Sequence, residues 1–112
     1  MILIGIDVGT GGCKVSLVDG ATRVIAQARE TSPSSYPEAG WVEQNPSQWL
    51  DAVVAAMDRA IAQIPQERRV EVAGIGISAP THVAVLIDGA GEVVRPAIMW
   101  NDQRSGAHAR RL

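Results

Sequence analysis

The sequence contains no phenylalanine, one tyrosine and three tryptophans, so aromatic residues make up only 4% of its 112 positions. A core with so few rings has to be assembled from aliphatic and small side chains. A single cysteine, Cys13, excludes an internal disulfide, and with no secretory leader ahead of it the expected compartment is the reducing cytoplasm. No apolar run approaches the roughly 18 residues that span a bilayer, and the opening Met-Ile-Leu-Ile-Gly lacks a preceding basic segment, so no membrane partner is expected. Nor is there an excess of one charge: 10 Lys and Arg against 12 Asp and Glu leave a net charge of −2. That field is too weak to recruit nucleic acid, although the stretch from Arg104 to Arg111 is locally basic.

What is present is the composition of a globular chain, 46% hydrophobic and 20% charged, with a length that fits one modest domain. Its early elements read as strands. Ile2, Leu3, Ile4 and Ile6 lead into Asp7-Val8-Gly9, a β-rich run closed by turn residues. Lys14 to Val18 alternates polar and apolar side chains, the period of a half-buried strand. Asp19-Gly20 is a hairpin signal, and Arg23 to Glu30 gives a third strand, completing an antiparallel meander. Thr31 to Gln44, with Pro33, Pro37 and Gly40, reads as an extended surface loop. Asn45-Pro46-Ser47-Gln48 then supplies an N-cap and a proline at the first helical position. Leu50, Val53, Val54, Met57, Ile61 and Ile64 form the expected apolar stripe of a helix that ends at Pro65. Val70 to Ile77 is almost wholly apolar and predicts a central strand covered on both faces. Val83 to Ile87 and Val93-Val94 flank the turn Asp88–Gly91, and Asn101 or Asp102 is a candidate cap for a last helix.

Eleven glycines in so short a chain ask for an explanation, because glycine is costly wherever its freedom is not used. Three of them sit in Gly9-Thr10-Gly11-Gly12-Cys13-Lys14. The segment lacks the Gly-Lys-Ser/Thr ending of a Walker A loop, and Lys14 stands where a dinucleotide fingerprint has its third glycine. Both of those loops also open a helix, whereas this one joins two strands. One reading is structural, with Gly9, Gly11 and Gly12 supplying positive φ for a turn. The other is chemical: amides and the Thr10 hydroxyl for polyphosphate oxygens, Lys14 as counter-charge, and Asp7 holding a Mg²⁺ that offsets its repulsion of phosphate.

Asp7-x-Gly9-Thr10-x-x-x-Lys14 on a first hairpin resembles the first phosphate motif of the sugar kinase, hsp70 and actin superfamily. The resemblance implies an α/β fold with a ribonuclease H-like core: a three-strand antiparallel meander, then a helix and a central strand in a mixed sheet. Within that superfamily, Gly40-Trp41-Val42-Glu43-Gln44-Asn45-Pro46, Gly74-Ile75-Gly76-Ile77-Ser78 and Arg95-Pro96-Ala97-Ile98-Met99-Trp100-Asn101-Asp102-Gln103-Arg104 are similar to the FGGY carbohydrate kinases, most of all to their xylulokinases. The similarity runs through residues 1–112 in the family's order and implies the N-terminal portion of domain I, with the second domain lying outside this chain.

On that resemblance Asp7, Gly9, Thr10, Gly11 and Lys14 face the terminal phosphates of ATP, and Asp7 faces Mg²⁺. Thr81, His82, Asn101, Asp102 and Arg104 line or brace the sugar pocket, with Asp102 as an acceptor of polyol hydroxyls. Pro80-Thr81 replaces the Gln-Met usual in xylulokinases, while His82 keeps the family's histidine. From the residues alone, His82 reads as a packed imidazole, and Trp100 to Arg104 as core filling followed by a helix cap and a surface ion pair. Trp41 and Trp49 are expected to be structural, Cys13 a small turn filler and His108 solvated.

The implied reaction is transfer of the ATP γ-phosphoryl group to a hydroxyl of D-xylulose or a related ketopentose. The aspartate base of the family matches none of the six aspartates present and is expected beyond residue 112, which leaves this chain alone inactive. A kinase for ribulose or gluconate, or a non-catalytic sugar-binding or regulatory module of the same fold, are the alternatives. Glycerol kinases carry Arg-Glu where Thr81-His82 stands, which disfavours glycerol. The partners expected are a small-molecule sugar and a second copy of the parent protein.

Overall fold

The computed structural model describes residues 1–110. Its elements in chain order are β1 (Ile2–Gly9), β2 (Gly12–Asp19), β3 (Val24–Thr31), β4 (Glu43–Gln44), α1 (Pro46–Ile61), a 3₁₀ turn (Gln66–Glu71), β5 (Val72–Ser78), β6 (Ala97–Ile98) and a short α2 (Gly106–Ala109). The four long strands form one sheet in the order β3-β2-β1-β5. β1 pairs antiparallel with β2 and β2 with β3, as the meander requires, whereas β5 joins β1 in parallel after the chain has crossed over through α1. A parallel return needs such a crossover, so the mixed sheet follows directly from a helix placed between the third and fourth long strands.

Alternation decides which face of the sheet is covered. Ile2, Ile4 and Ile6 of β1, with Cys13, Val15 and Leu17 of β2, turn toward α1 and are buried. Asp7, Lys14 and Ser16 fall on the opposite face. Cys13 therefore lies within the core as a buried thiol, not as turn filler. Burial raises its pKa, so the sulfur is held protonated and a poor nucleophile.

α1 begins as the sequence predicts, with Asn45 Oδ1 accepting from Ser47 N at 3.0 Å and Pro46 at its first position. Its buried stripe differs from the expectation. Ala52, Ala56 and Ala60 face the sheet, Val53, Met57 and Ile61 flank them, and Ile64 follows beyond the helix end, while Leu50 and Val54 are exposed. Alanine lets the helix axis approach β2 and β3 closely, and the larger side chains settle on either side of that contact line.

The Asp19-Gly20 hairpin forms between β2 and β3, and a side chain organises its loop: Asp19 Oδ1 accepts from both Ala21 N and Arg23 N, and the left-handed residue is Thr22 at φ 62°. The loop's glycine is thus not used for its φ. Two further readings are corrected. β5 starts at Val72, because Val70 belongs to the 3₁₀ turn and is 88% exposed. Among the described residues β5 is the edge strand, with Ile75 and Ile77 in register with Ile4 and Ile6 on the helix side but beyond the reach of α1, and so exposed. The last helix begins after Ser105, since Asp102 is committed to a turn with Arg104. Sequence periodicity also missed β4 and β6, which pair Glu43 with Ile98 and Gln44 with Ala97. Two residues are too short to show a period. The Asp88–Gly91 hairpin forms as expected, with Asp88 Oδ1 accepting from Ala90 N and Glu92 N.

Candidate functional site

The β1–β2 ladder runs to Gly9 opposite Gly12 and leaves Thr10 and Gly11 as the hairpin tip. Asp7 and Lys14 are cross-strand partners on the uncovered face, with Lys14 Nζ 3.9 Å from Asp7 Oδ2. Of the three loop glycines only Gly12 has a φ that demands glycine, +149°, and a Cβ there would lie 2.1 Å from the carbonyl oxygen of Glu30. A Cβ on Gly11 would meet nothing within 4 Å, and one on Gly9 only an ordinary contact at 3.5 Å. The turn thus accounts for Gly12 alone. Gly9 and Gly11 are bare where the fold has no need of it, which is what a backbone surface for a close-lying ligand requires.

Two hollows meet at this hairpin, sharing Asp7 and Gly9. One of about 370 Å³ is lined by Gly11, Lys14 and Arg29 together with Glu30. Nothing in the local sequence marks Arg29. It stands directly across from Lys14 in the β2–β3 register, an unfavourable apposition of like charges that an anion between them would relieve. No sequence pattern flags such a residue, because only strand register brings it to Lys14.

The other hollow, of about 320 Å³, joins Asp7, Gly9 and Thr10 to Thr81, His82 and Trp100. Parallel pairing creates it: Asp7 is in register with Ser78, the last residue of β5, so the chain leaving β5 runs past the hairpin. His82 is exposed and adopts φ +60°, the left-handed region, with its Nδ1 3.0 Å from Thr81 Oγ1. A non-glycine residue in that region is uncommon, and at the mouth of a cleft it makes His82 a candidate functional position. The structure thereby brings three of the predicted phosphate residues, Asp7, Gly9 and Thr10, together with two of the predicted sugar residues, while Gly11 and Lys14 line the neighbouring hollow.

Thr10 is tied down at both ends. Its carbonyl accepts from Gln44 Nε2 at 2.5 Å, and its Oγ1 accepts from Trp100 Nε1 at 3.1 Å. Trp100 is 60% exposed, a wall of the cleft and no core filler.

Asn101 is exposed and does not line the cleft. Asp102 and Arg104 form a brace beneath the loop before α1. Asp102 Oδ1 accepts from Arg104 N and Nε at 2.9 and 2.8 Å, and Oδ2 from Arg104 Nη2 and Val42 N at 2.8 and 2.6 Å. Four donors fill the acceptor positions of a carboxylate, leaving none for a sugar hydroxyl. The expected hydroxyl-accepting role is thus corrected to bracing. The Arg104 guanidinium, with the two backbone amides, holds the Asp102 carboxyl well below the usual carboxylate range. Arg104 also reaches Glu43 at 2.8 Å and lies 3.7 Å over the Trp41 ring, so Trp41 is structural as expected.

Among the described residues no group of three or more His, Cys, Asp or Glu could hold a metal ion. Asp7, exposed at the mouth of both hollows, fits Mg²⁺ only in its usual form with phosphorylated substrates, one carboxylate plus phosphate oxygens and water. No helix among these residues is long and apolar enough to cross a membrane.

The model of the FGGY family of carbohydrate kinases, N-terminal domain, matches residues 2–112. Xylulose kinase of Escherichia coli is 40% identical over 102 residues, covering 90% of this chain and 20% of that protein. A glycerol kinase of Allorhizobium ampelinum is 31% identical over 111 residues, covering 98% of this chain and 22% of that protein. The crystal structure of xylulose kinase from Rhodospirillum rubrum superposes with a TM-score of 0.90 at 31% identity, over 99% of this chain and 23% of that one. The chain spans about a fifth of the length of the curated relatives it matches.

Proposed function

The chain belongs to the FGGY family of carbohydrate kinases, and on that premise we propose that the protein carrying it transfers the γ-phosphoryl group of ATP to a hydroxyl of a ketopentose, D-xylulose or a close relative. These residues form the N-terminal part of its first domain. The observation that carries the reading is the shared cleft, in which the bare hairpin Asp7–Thr10 and the strained His82 line one space.

In this reading the amides around Gly9 and Gly11, the Thr10 hydroxyl and Lys14 bind the terminal phosphates. Asp7 holds Mg²⁺, which when bound neutralises charge on the phosphate oxygens. His82 and Thr81 hydrogen-bond the sugar and orient it toward the hairpin, and Trp100 walls the cleft against water. The base that takes the hydroxyl proton is assigned to residues outside these 112. Asp102 and Arg104 serve the site by fixing the loop from Trp41 to Glu43.

A coupled ATP assay of the whole protein against xylulose, ribulose, gluconate and glycerol tests this. Xylulose is expected to give the highest kcat/KM. His82→Ala is expected to lower it by roughly 10- to 100-fold, about 1.4–2.7 kcal/mol of transition-state binding. Absence of ATP-dependent phosphorylation of every sugar would reject the kinase in favour of a binding module.

A further inference from the structure

We infer that Gln44 is a positioning residue for the phosphate hairpin: its buried amide fixes the tip at Thr10, and Trp49 sets that amide's orientation. The functional consequence rests on the kinase reading; the mechanical claim does not.

The tip needs an external anchor. Ladder pairing stops at Gly9 and Gly12, and of the glycines there Gly11 would meet nothing within 4 Å of a Cβ and has no special φ to limit it. Beyond the ladder, the main chain of Thr10 and Gly11 accepts a bond from Ser32 N to the Gly11 carbonyl at 3.2 Å and the short one from Gln44 Nε2 to the Thr10 carbonyl at 2.5 Å. Gln44 comes from 34 residues away and is 2% exposed.

A buried primary amide is an anchor only if its own orientation is fixed, and here it is. Trp49 Nε1 can only donate, and it donates to Gln44 Oε1 at 2.6 Å. The amide nitrogen must then face away from Trp49, where it meets Thr10 O and Ser34 Oγ, the latter at 2.8 Å. The backbone of Gln44 is held in turn by pairing with Ala97, and the next residue, Asn45, caps α1. The hairpin tip is thereby referenced to the start of the helix. Placement matters because a phosphate cradle made of backbone amides loses much of its effect when displaced by about 1 Å. A glutamine that merely filled the core would satisfy its own polar groups without holding the tip.

The test uses Gln44→Met, Gln44→Glu and Trp49→Phe in the whole protein, with two readouts. In native-state hydrogen exchange, Gln44→Met is expected to speed the Ser32 amide, which donates to the Gly11 carbonyl at the tip, by about tenfold or more while those of Val53 to Ala60 stay unchanged. In kinetics it is expected to raise KM for ATP by about tenfold while KM for the sugar stays within about twofold. Gln44→Glu keeps an oxygen for Trp49 and, as a carboxylate, has no donor for Thr10, so at a pH where it is ionised it should match Gln44→Met. Trp49→Phe should shift both readouts in the same direction by less, and it carries the test if the Gln44 variants do not fold. Unchanged exchange at the tip, or faster exchange throughout α1 with both KM values rising together, would overturn the inference. If the wild-type protein phosphorylates no sugar, the kinase reading fails and exchange alone still decides the role of Gln44.

Discussion

Gly11 and Gly12 are neighbours of the same type with opposite reasons for being glycine. Gly12→Ala forces a Cβ against backbone at positive φ, and is expected to cost on the order of 3 kcal/mol or more, seen as a lowered denaturation midpoint. Gly11→Ala meets open space, so stability should change by no more than about 0.5 kcal/mol while KM for ATP rises. The sequence reading located the cluster but spread the φ requirement over three residues, because composition counts glycines without seeing which backbone lies behind each. Trp100 shows the same limit. Its position beside Asn101-Asp102 was legible, but its bond to Thr10 joins residues 90 apart and leaves no local pattern. Trp100→Phe keeps an aromatic ring and removes that donor; kcat should fall several-fold with Tm within about 2 °C of wild type, as steady-state kinetics and calorimetry would show.

At the scale of elements, α1 was predictable in its start and type, since the cap and the first-position proline act within one turn. Its buried face was not, because Leu50 and Val54 satisfy the helical period as well as Ala52 and Ala56 do. Only the closeness of α1 to β2 and β3 selects the small residues. Ala56→Leu should therefore destabilise by about 1–3 kcal/mol through overpacking, whereas Leu50→Ala, at a position 66% exposed, should stay within about 0.5 kcal/mol by chemical denaturation. β4 carries more structure than its length suggests. Gln44 serves the hairpin tip while its neighbour Glu43 takes both Arg95 and Arg104. The side chains of successive strand residues point to opposite faces, so one dipeptide links the two halves of the cleft's support.

For the molecule as a whole, the carboxylates paired with arginine set the response to acid. Asp102 and Glu71 both have pKa values below their ordinary range in the folded state, through Arg104 and Arg68 respectively. A depressed folded pKa contributes stability that is fully present above the unfolded value and is lost as pH falls through it toward the folded one. Tm of the whole protein should thus hold steady from about pH 7 to 5 and fall below about pH 4. Asp102→Asn should lower Tm already at pH 7 and flatten that acid limb.

The sequence by itself determined the order and type of the long elements, the glycine-rich hairpin and the family, because caps, alternation and short motifs act over a few residues. The tertiary structure decided the rest: that His82 and Thr10 line one hollow, that Asp102 is saturated by its donors, that Arg29 stands across from Lys14, and that Gln44 bonds the hairpin tip. Each of these joins residues through strand pairing or a buried hydrogen bond. Such contacts depend on where the chain returns in space, and a linear pattern carries no record of that return.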